Sequence, residues 1–196
     1  MNLTVIYVIL LIKAQRVACA QFLLSNLTGP YHVGRIDLEL IDYLTLDPFA
    51  SVPSFRDLMV SIFYPTHDIT NHTLAPDFPP KTAAFGDQEY GLPSGSVESL
   101  YTRSYLNAPL SDPSLPLLLF SPGFGNLRGQ YSAALEDVSS QGYIVVSMDH
   151  PYDSSFVEYP DGRIITSGYS AGRFSGRDSD AAVCTGCRCN FCRQRP

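Results

Sequence analysis

Leu115-Pro116-Leu117-Leu118-Leu119-Phe120-Ser121-Pro122-Gly123-Phe124-Gly125-Asn126 is the stretch that decides the fold. Leu115 to Phe120 is a continuous apolar run, as in a strand buried on both faces. It ends in a turn of small residues. Downstream, Tyr131, Ala134, Leu135 and Val138 fall at i, i+3, i+4 and i+7, so Tyr131 to Gln141 reads as a helix. Gly142 stands where a C-terminal cap glycine belongs. Tyr143 to Met148 is a second apolar strand, followed by Asp149-His150-Pro151-Tyr152-Asp153. Strand, turn, helix and strand within about 35 residues make a βαβ unit with parallel strands.

The flanking patterns differ. In Gly34 to Tyr43, Ile36, Leu38 and Leu40 face one way and Arg35, Asp37 and Glu39 the other, the period of a half-buried strand. Leu58 to Tyr64 alternates likewise through Val60, Ile62 and Tyr64 and is closed by Pro65. The two are expected to pair as an antiparallel hairpin. Residues 65–116 hold eight of the fifteen prolines and read as a long loop region, with helical turns at most around Ser96–Tyr101. Phe156–Tyr159 and Arg163–Thr166 flank Pro160-Asp161-Gly162 as a small hairpin.

Composition agrees with one globular domain. The 196 residues are 45% apolar and 16% charged, enough for a core and too few charges for a solvated tail. Fifteen Pro and fourteen Gly argue against a helical bundle, a coiled coil or a solenoid, and no period of 20–50 residues repeats. The net charge of −6 hides an asymmetry: residues 21–172 carry six basic and seventeen acidic side chains, residues 173–196 five Arg and two Asp. An acidic body has no electrostatic footprint for nucleic acid.

Both ends have their own character. Leu3 to Ile12 is apolar but too short to span a membrane. Ala18-Cys19-Ala20 has the small-x-small form of a signal-peptidase site, so residues 1–20 read as a cleaved signal peptide. An uncleaved anchor or a buried first strand is the alternative. The sequons Asn26-Leu27-Thr28 and Asn71-His72-Thr73 agree with secretion and glycosylation. Cys184, Cys187, Cys189 and Cys192 crowd the other end, while residues 21–183 have no cysteine. Four thiolates could hold Zn²⁺, but one residue between the two pairs is very short for a structural site. The other reading is that residues 167–196 form a disordered Cys/Arg-rich tail foreign to the fold.

An antiparallel opening followed by a parallel βαβ unit is how an α/β-hydrolase begins. The stretch Pro116 to Gly125, with Tyr131-Ser132, Ser140 to Val146 and Asp149 to Asp153, resembles the platelet-activating factor acetylhydrolase family in its plasma and isoform II branch, especially fungal secreted members. Gly29-Pro30-Tyr31-His32-Val33-Gly34, Phe63-Tyr64-Pro65 and Glu158 to Gly162 extend the resemblance over roughly residues 29–166. It implies an α/β-hydrolase fold, incomplete here, with residues 21–166 as its N-terminal part. It also implies a secreted, calcium-independent serine esterase that cleaves a short sn-2 acyl ester of a phospholipid without a cofactor or metal. A peripheral contact with a membrane or lipoprotein surface follows from such a substrate. By family position the backbone N–H of Phe124 is an oxyanion-hole donor.

The triad is where the resemblance stops. These hydrolases order it Ser, then Asp or Glu, then His, with Ser in Gly-x-Ser-x-Gly between a buried strand and a helix. The one match, Gly168-Tyr169-Ser170-Ala171-Gly172, follows only Ile164-Ile165 as apolar lead and is followed by Arg173-Phe174-Ser175-Gly176, which breaks a helix. Ser170 is thus a candidate nucleophile in motif and a Gly/Ser loop in context. His32, His67, His72 and His150 all precede it, so Asp178 and Asp180 have no later His to orient. The chain therefore reads as truncated before its triad and inactive as it stands. The alternatives are a catalytically dead remnant acting as a binding module, or another secreted carboxylesterase or polyester hydrolase.

Overall fold

Alternating β-branched and apolar residues drive the first half of the chain into sheet. The computed structural model describes residues 20–167. Its strands are β1 (Phe22–Leu23), β2 (His32–Leu46), β3 (Phe55–Thr66), β4 (Leu74–Pro76), β5 (Leu100–Leu106), β6 (Leu117–Phe120), β7 (Ile144–Asp149), β8 (Phe156–Glu158) and β9 (Ile164–Thr166). The helices are α1 (Pro80–Glu89), α2 (Ser132–Ser140) and a 3₁₀ turn, Arg128–Tyr131, leading into α2. One sheet runs β1-β5-β2-β3-β7-β6, with β4 also on β5; β8 and β9 form a separate hairpin.

The expected hairpin is present and longer than its pattern. β2 and β3 pair antiparallel from His32↔Thr66 to Asp42↔Arg56. β6 and β7 pair parallel from Leu117↔Ile144 to Phe120↔Ser147, as a βαβ unit requires. Gly142 lies just past α2 at φ +105°, the left-handed conformation expected of that cap. Two motifs far apart in sequence meet here. Gly34 and Tyr64 are register partners, and a Cβ on Gly34 would lie 2.4 Å from the Tyr64 ring.

Three expectations fail for identifiable reasons. Residues 65–116 are not a long loop: they contain β4, α1 and β5. α1 buries Thr82, Ala83, Gly86 and Asp87, a face without large apolar residues and hence without a periodic signal. It starts with Pro80 at the first helical position, where proline fits. Second, β2 presents its charged face to the interior. Arg35 is 2% exposed, whereas Leu38 and Leu40 are 36% and 47% exposed. Third, β6 is not buried on both faces. Leu117 is 58% and Leu119 70% exposed, because no described element covers their face; β6 is also an edge strand, paired with β7 alone among the described residues. The core lies on the other face, where Val33, Phe63, Leu135 and Val145 pack with Leu27, Phe120 and Tyr131.

Glu136 of α2 is fully buried against β5. Its Oε2 accepts the Arg103 N–H and the Ser104 hydroxyl, each at 2.8 Å, while Oε1 has no partner. Burial pushes its carboxyl up to about 7, and Asp77, itself raised to about 6 by burial, adds repulsion.

An unpaired apolar edge templates association, so the expressed chain is expected to self-associate and Leu118→Lys to shift it toward monomer in light scattering. A monodisperse, cooperatively melting wild-type monomer would contradict this. The folded chain holds the Glu136 proton more tightly than the unfolded chain does. This stabilisation is complete below about pH 4.5 and is lost as pH rises through about 7. Glu136→Gln, neutral throughout, should barely change Tm at pH 4.5 and raise it by about 3–8 °C at pH 8. Equal shifts at both pH values in calorimetry would show that Glu136 does not titrate this way.

Candidate active site: the C-terminal ends of β6 and β7

Parallel strands that end together leave their following loops side by side, and in open α/β sheets ligands bind there. β6 leads into Ser121–Asn126 and β7 into His150–Ser155. Backbone bonds tie the two loops: Gly125 N–H donates to Asp153 O at 3.1 Å and Ser155 N–H to Gly125 O at 3.3 Å. Gly125 takes φ +80°. Asn126 closes the turn, its N–H donating to Gly123 O at 3.0 Å and its side-chain amide to Tyr131 Oη at 2.9 Å. Phe124 sits inside this braced turn with its ring exposed.

His150 reaches across the same gap. Its Nε2 lies 2.9 Å from Ser121 Oγ, so a side-chain hydrogen bond joins the two strand ends. Its N–H donates to Ser154 Oγ at 3.1 Å, and Ser154 N–H returns to His150 O at 2.9 Å. His32 begins β2 and His67 follows β3, at the opposite end of the sheet; the His67 ring packs near Tyr31. His72 Nδ1 bonds Leu106 O at 3.0 Å. His150 is therefore the one histidine at the loop end that carries Phe124.

Beneath the loops lies a buried ion network. Arg128 and Asp149 form an ion pair, and Arg128 N–H donates to Asp149 Oδ1 at 2.6 Å. Arg128 Nε donates to Ser61 Oγ at 3.0 Å, and that hydroxyl donates to Asp37 Oδ1 at 2.5 Å. Arg35 Nε donates to Asp37 at 3.1 Å and its Nη1 to Pro76 O at 3.0 Å. Burial acts to raise the Asp37 carboxyl, but Arg35, Arg128 and Ser61 hold it below its usual range. Burial pushes Asp149 up, with Arg128 opposing. This network explains the inward charged face of β2: Arg35 and Asp37 are its members.

Phe124 thus sits on a turn bonded to the loop after β7, and Ser121 and His150 are joined at the same end of the sheet. Asp149, the carboxylate adjoining His150 in sequence, is bonded to Arg128 instead. Ser170, Asp178, Asp180, the four clustered cysteines and residues 1–19 of the signal segment 1–20 lie outside the described residues. Sequence reasoning missed Ser121, Ser61 and Arg128. One signal was present: Arg128 is the sole basic residue between Arg103 and Arg163 in an acidic body, and a lone cation beside an apolar helix start needs a partner.

Removing one member of a buried pair strands the other, so Arg128→Met should cost about 3–5 kcal/mol in denaturant unfolding. Arg128→Met combined with Asp149→Leu should recover roughly half of that loss. A double variant no more stable than the single would show that packing, not charge, is at stake.

The sequence profile of the family "Platelet-activating factor acetylhydrolase, isoform II" matches residues 17–161. A probable 1-alkyl-2-acetylglycerophosphocholine esterase of Arthroderma benhamiae is 36% identical over 76% of this chain and 42% of its own length. A platelet-activating factor acetylhydrolase of Canis lupus familiaris is 31% identical over 67% of this chain and 29% of its own. A ferulic acid esterase from Streptomyces cinnamoneus superposes with a TM-score of 0.65 at 28% identity, covering 76% of this chain and 42% of that one. The chain spans less than half the length of each of these proteins. The fold is that of an esterase of the α/β-hydrolase kind. The chain belongs to the platelet-activating factor acetylhydrolase isoform II family.

Proposed function

We propose that this chain is the oxyanion-bearing part of a secreted serine esterase that cleaves short sn-2 acyl groups from phospholipids related to 1-alkyl-2-acetylglycerophosphocholine. The observation that carries the reading is the turn Gly123-Phe124-Gly125, braced by Asp153 and Ser155 at the loop edge. A preorganised N–H at such a place stabilises the negative oxygen of a tetrahedral acyl intermediate, and one donor of this kind is worth about 10²–10³ in rate. The names of the relatives support a lipid ester as substrate. The apolar segment Leu3–Ile12, the Ala18-Cys19-Ala20 site and the exposed sequon residues Asn26 and Asn71 support secretion and glycosylation. A lipid substrate also supports contact with a membrane or lipoprotein surface.

In this reading the chain brings the oxyanion donor but not a full triad, so alone it does not turn over. In this reading Ser170 is not the nucleophile. The ferulic acid esterase likeness favours a second reading, a carboxylesterase acting on non-lipid esters.

Two measurements test this. Purified residues 21–196 should hydrolyse neither p-nitrophenyl acetate nor sn-2 acetyl phospholipid above a Ser170→Ala control; activity abolished by Ser170→Ala would assign Ser170 as nucleophile. Residues 21–166 joined to the remainder of the Arthroderma relative should restore sn-2 deacetylation. In that chimera Phe124→Pro, which removes the N–H, should lower kcat by about 10²–10³. A folded chimera that cleaves feruloyl esters and ignores the lipid would establish the second reading.

A further inference from the structure

The β2–β3 arm extends past the end of β7: Asp149 pairs with Met59, and the arm continues through Leu58, Asp57 and Arg56 to Phe55. It therefore overhangs the loop end that carries Phe124. Between the arm, Pro151-Tyr152 and the β8–β9 hairpin lies an open cavity of about 260 Å³. That is smaller than the roughly 300–1,000 Å³ of pockets for drug-sized ligands, so its occupant is a small group.

The lining is specific. Tyr43 and Phe55 stand edge to face with centroids 5.4 Å apart and share the cavity wall with Tyr152. Tyr152 holds φ +70°, a conformation that a bulky residue rarely adopts and that clusters at ligand clamps. Asp47 and Asp57 also line the cavity. Asp57 is 8% exposed, and its Oδ1 has no hydrogen-bond partner. Arg163 at the rim does not cancel this charge: it is shared among Glu39 at 2.6 Å, Asp57 at 2.9 Å and Asp161 at 3.1 Å. Three carboxylates on one guanidinium, with Asp47 in addition, leave the cavity net negative.

Aromatic rings and carboxylates around a small negative cavity suit an organic cation: ring faces attract charge but accept hydrogen bonds poorly, so a quaternary ammonium loses little against them. We propose that this cavity binds a quaternary ammonium group of the choline type, with Tyr43, Phe55 and Tyr152 as the cage, Asp47 and Asp57 as the counter-charge, and the partly exposed Arg163 placed to meet an attached phosphate. The proposal deepens the lipid-ester reading and rests on it for the role of the site as a headgroup subsite. The loop from His150 to Ser155 contributes to both places: Tyr152 lines the cavity, and Asp153 braces the Phe124 turn. The group can come from free phosphocholine or from a phosphatidylcholine surface.

The test uses the 21–196 chain and probes that contain no scissile acetyl ester, so its outcome is independent of the esterase reading. Choline chloride, phosphocholine and the neutral isostere 3,3-dimethylbutan-1-ol are titrated in ligand-observed NMR, and the chain is sedimented with phosphatidylcholine or phosphatidylglycerol vesicles. Saturable binding of choline and phosphocholine is expected, with the isostere weaker by about tenfold. Tyr43→Ala and Asp47→Asn, whose folding is checked by thermal melting, should each weaken choline by roughly two- to fivefold; Leu44→Ala, at an exposed position, should not. Sedimentation with phosphatidylcholine that Tyr43→Ala reduces assigns the lipid surface as the source, and binding of the soluble probes alone assigns the free headgroup. Equal affinity for the isostere, no effect of Tyr43→Ala, or no saturation at roughly 50 mM choline would overturn the proposal.

Discussion

The buried pair of Arg128 and Asp149 is the constraint from which the loop end takes its shape. Charges removed from water persist only when their geometry and secondary hydrogen bonds are complete. Completing them draws in Ser61 from β3 and, through it, Asp37 and Arg35 from β2. Arg128 opens the 3₁₀ turn into α2, and Asp149 ends β7. One ion pair therefore fixes the entry of the helix, the end of the strand and the face of the hairpin that looks inward. The two loops that meet at Phe124 grow from either side of this point.

This is also why part of the structure was legible in the sequence and part was not. Period-two and period-3.6 patterns report where apolar mass is buried, and they located the β2–β3 hairpin, the βαβ unit and the cap at Gly142. They fail where polar chemistry decides. The inward face of β2 carries Arg35 and Asp37, so the alternation marks a half-buried strand while apolarity does not mark its inward face. α1 was invisible because it is held by hydrogen bonds rather than by an apolar stripe: Thr82 N–H donates to Glu158 at 2.8 Å, and Asp87 accepts from Gly95 and Val97. The turn around Phe124 is legible from its small residues, whereas Ser121 and His150 meet only because parallel pairing places their strand ends together.

The two faces of the sheet are unequal in the same way. α2 and its 3₁₀ turn cover the face that holds Phe63, Val145 and the ion network. The opposite face carries Leu38, Leu40, Leu117 and Leu119 in the open. Sequence motifs that seem unrelated are the fasteners of the covered side. Gly29 lies so close to α2 that a Cβ would meet Ser140 O at 2.1 Å, and its N–H donates to Ser140 Oγ at 2.9 Å. Like Gly34 under Tyr64, it is a residue chosen for the space it leaves.

The unpaired edge of β6 has a consequence for synthesis. No described element that precedes β6 lies along that edge. In a relative more than twice this length, a covering strand would have to be supplied by chain made afterwards. Ribosomes add about 5–20 residues per second, so every hundred further residues leave Leu117 to Phe120 uncovered on the nascent chain for roughly 5–20 seconds. That interval is long compared with hairpin formation, which takes microseconds. The β2–β3 hairpin can thus close while the sheet waits, and the exposed leucines make this stage the one at which a chaperone has most to hold.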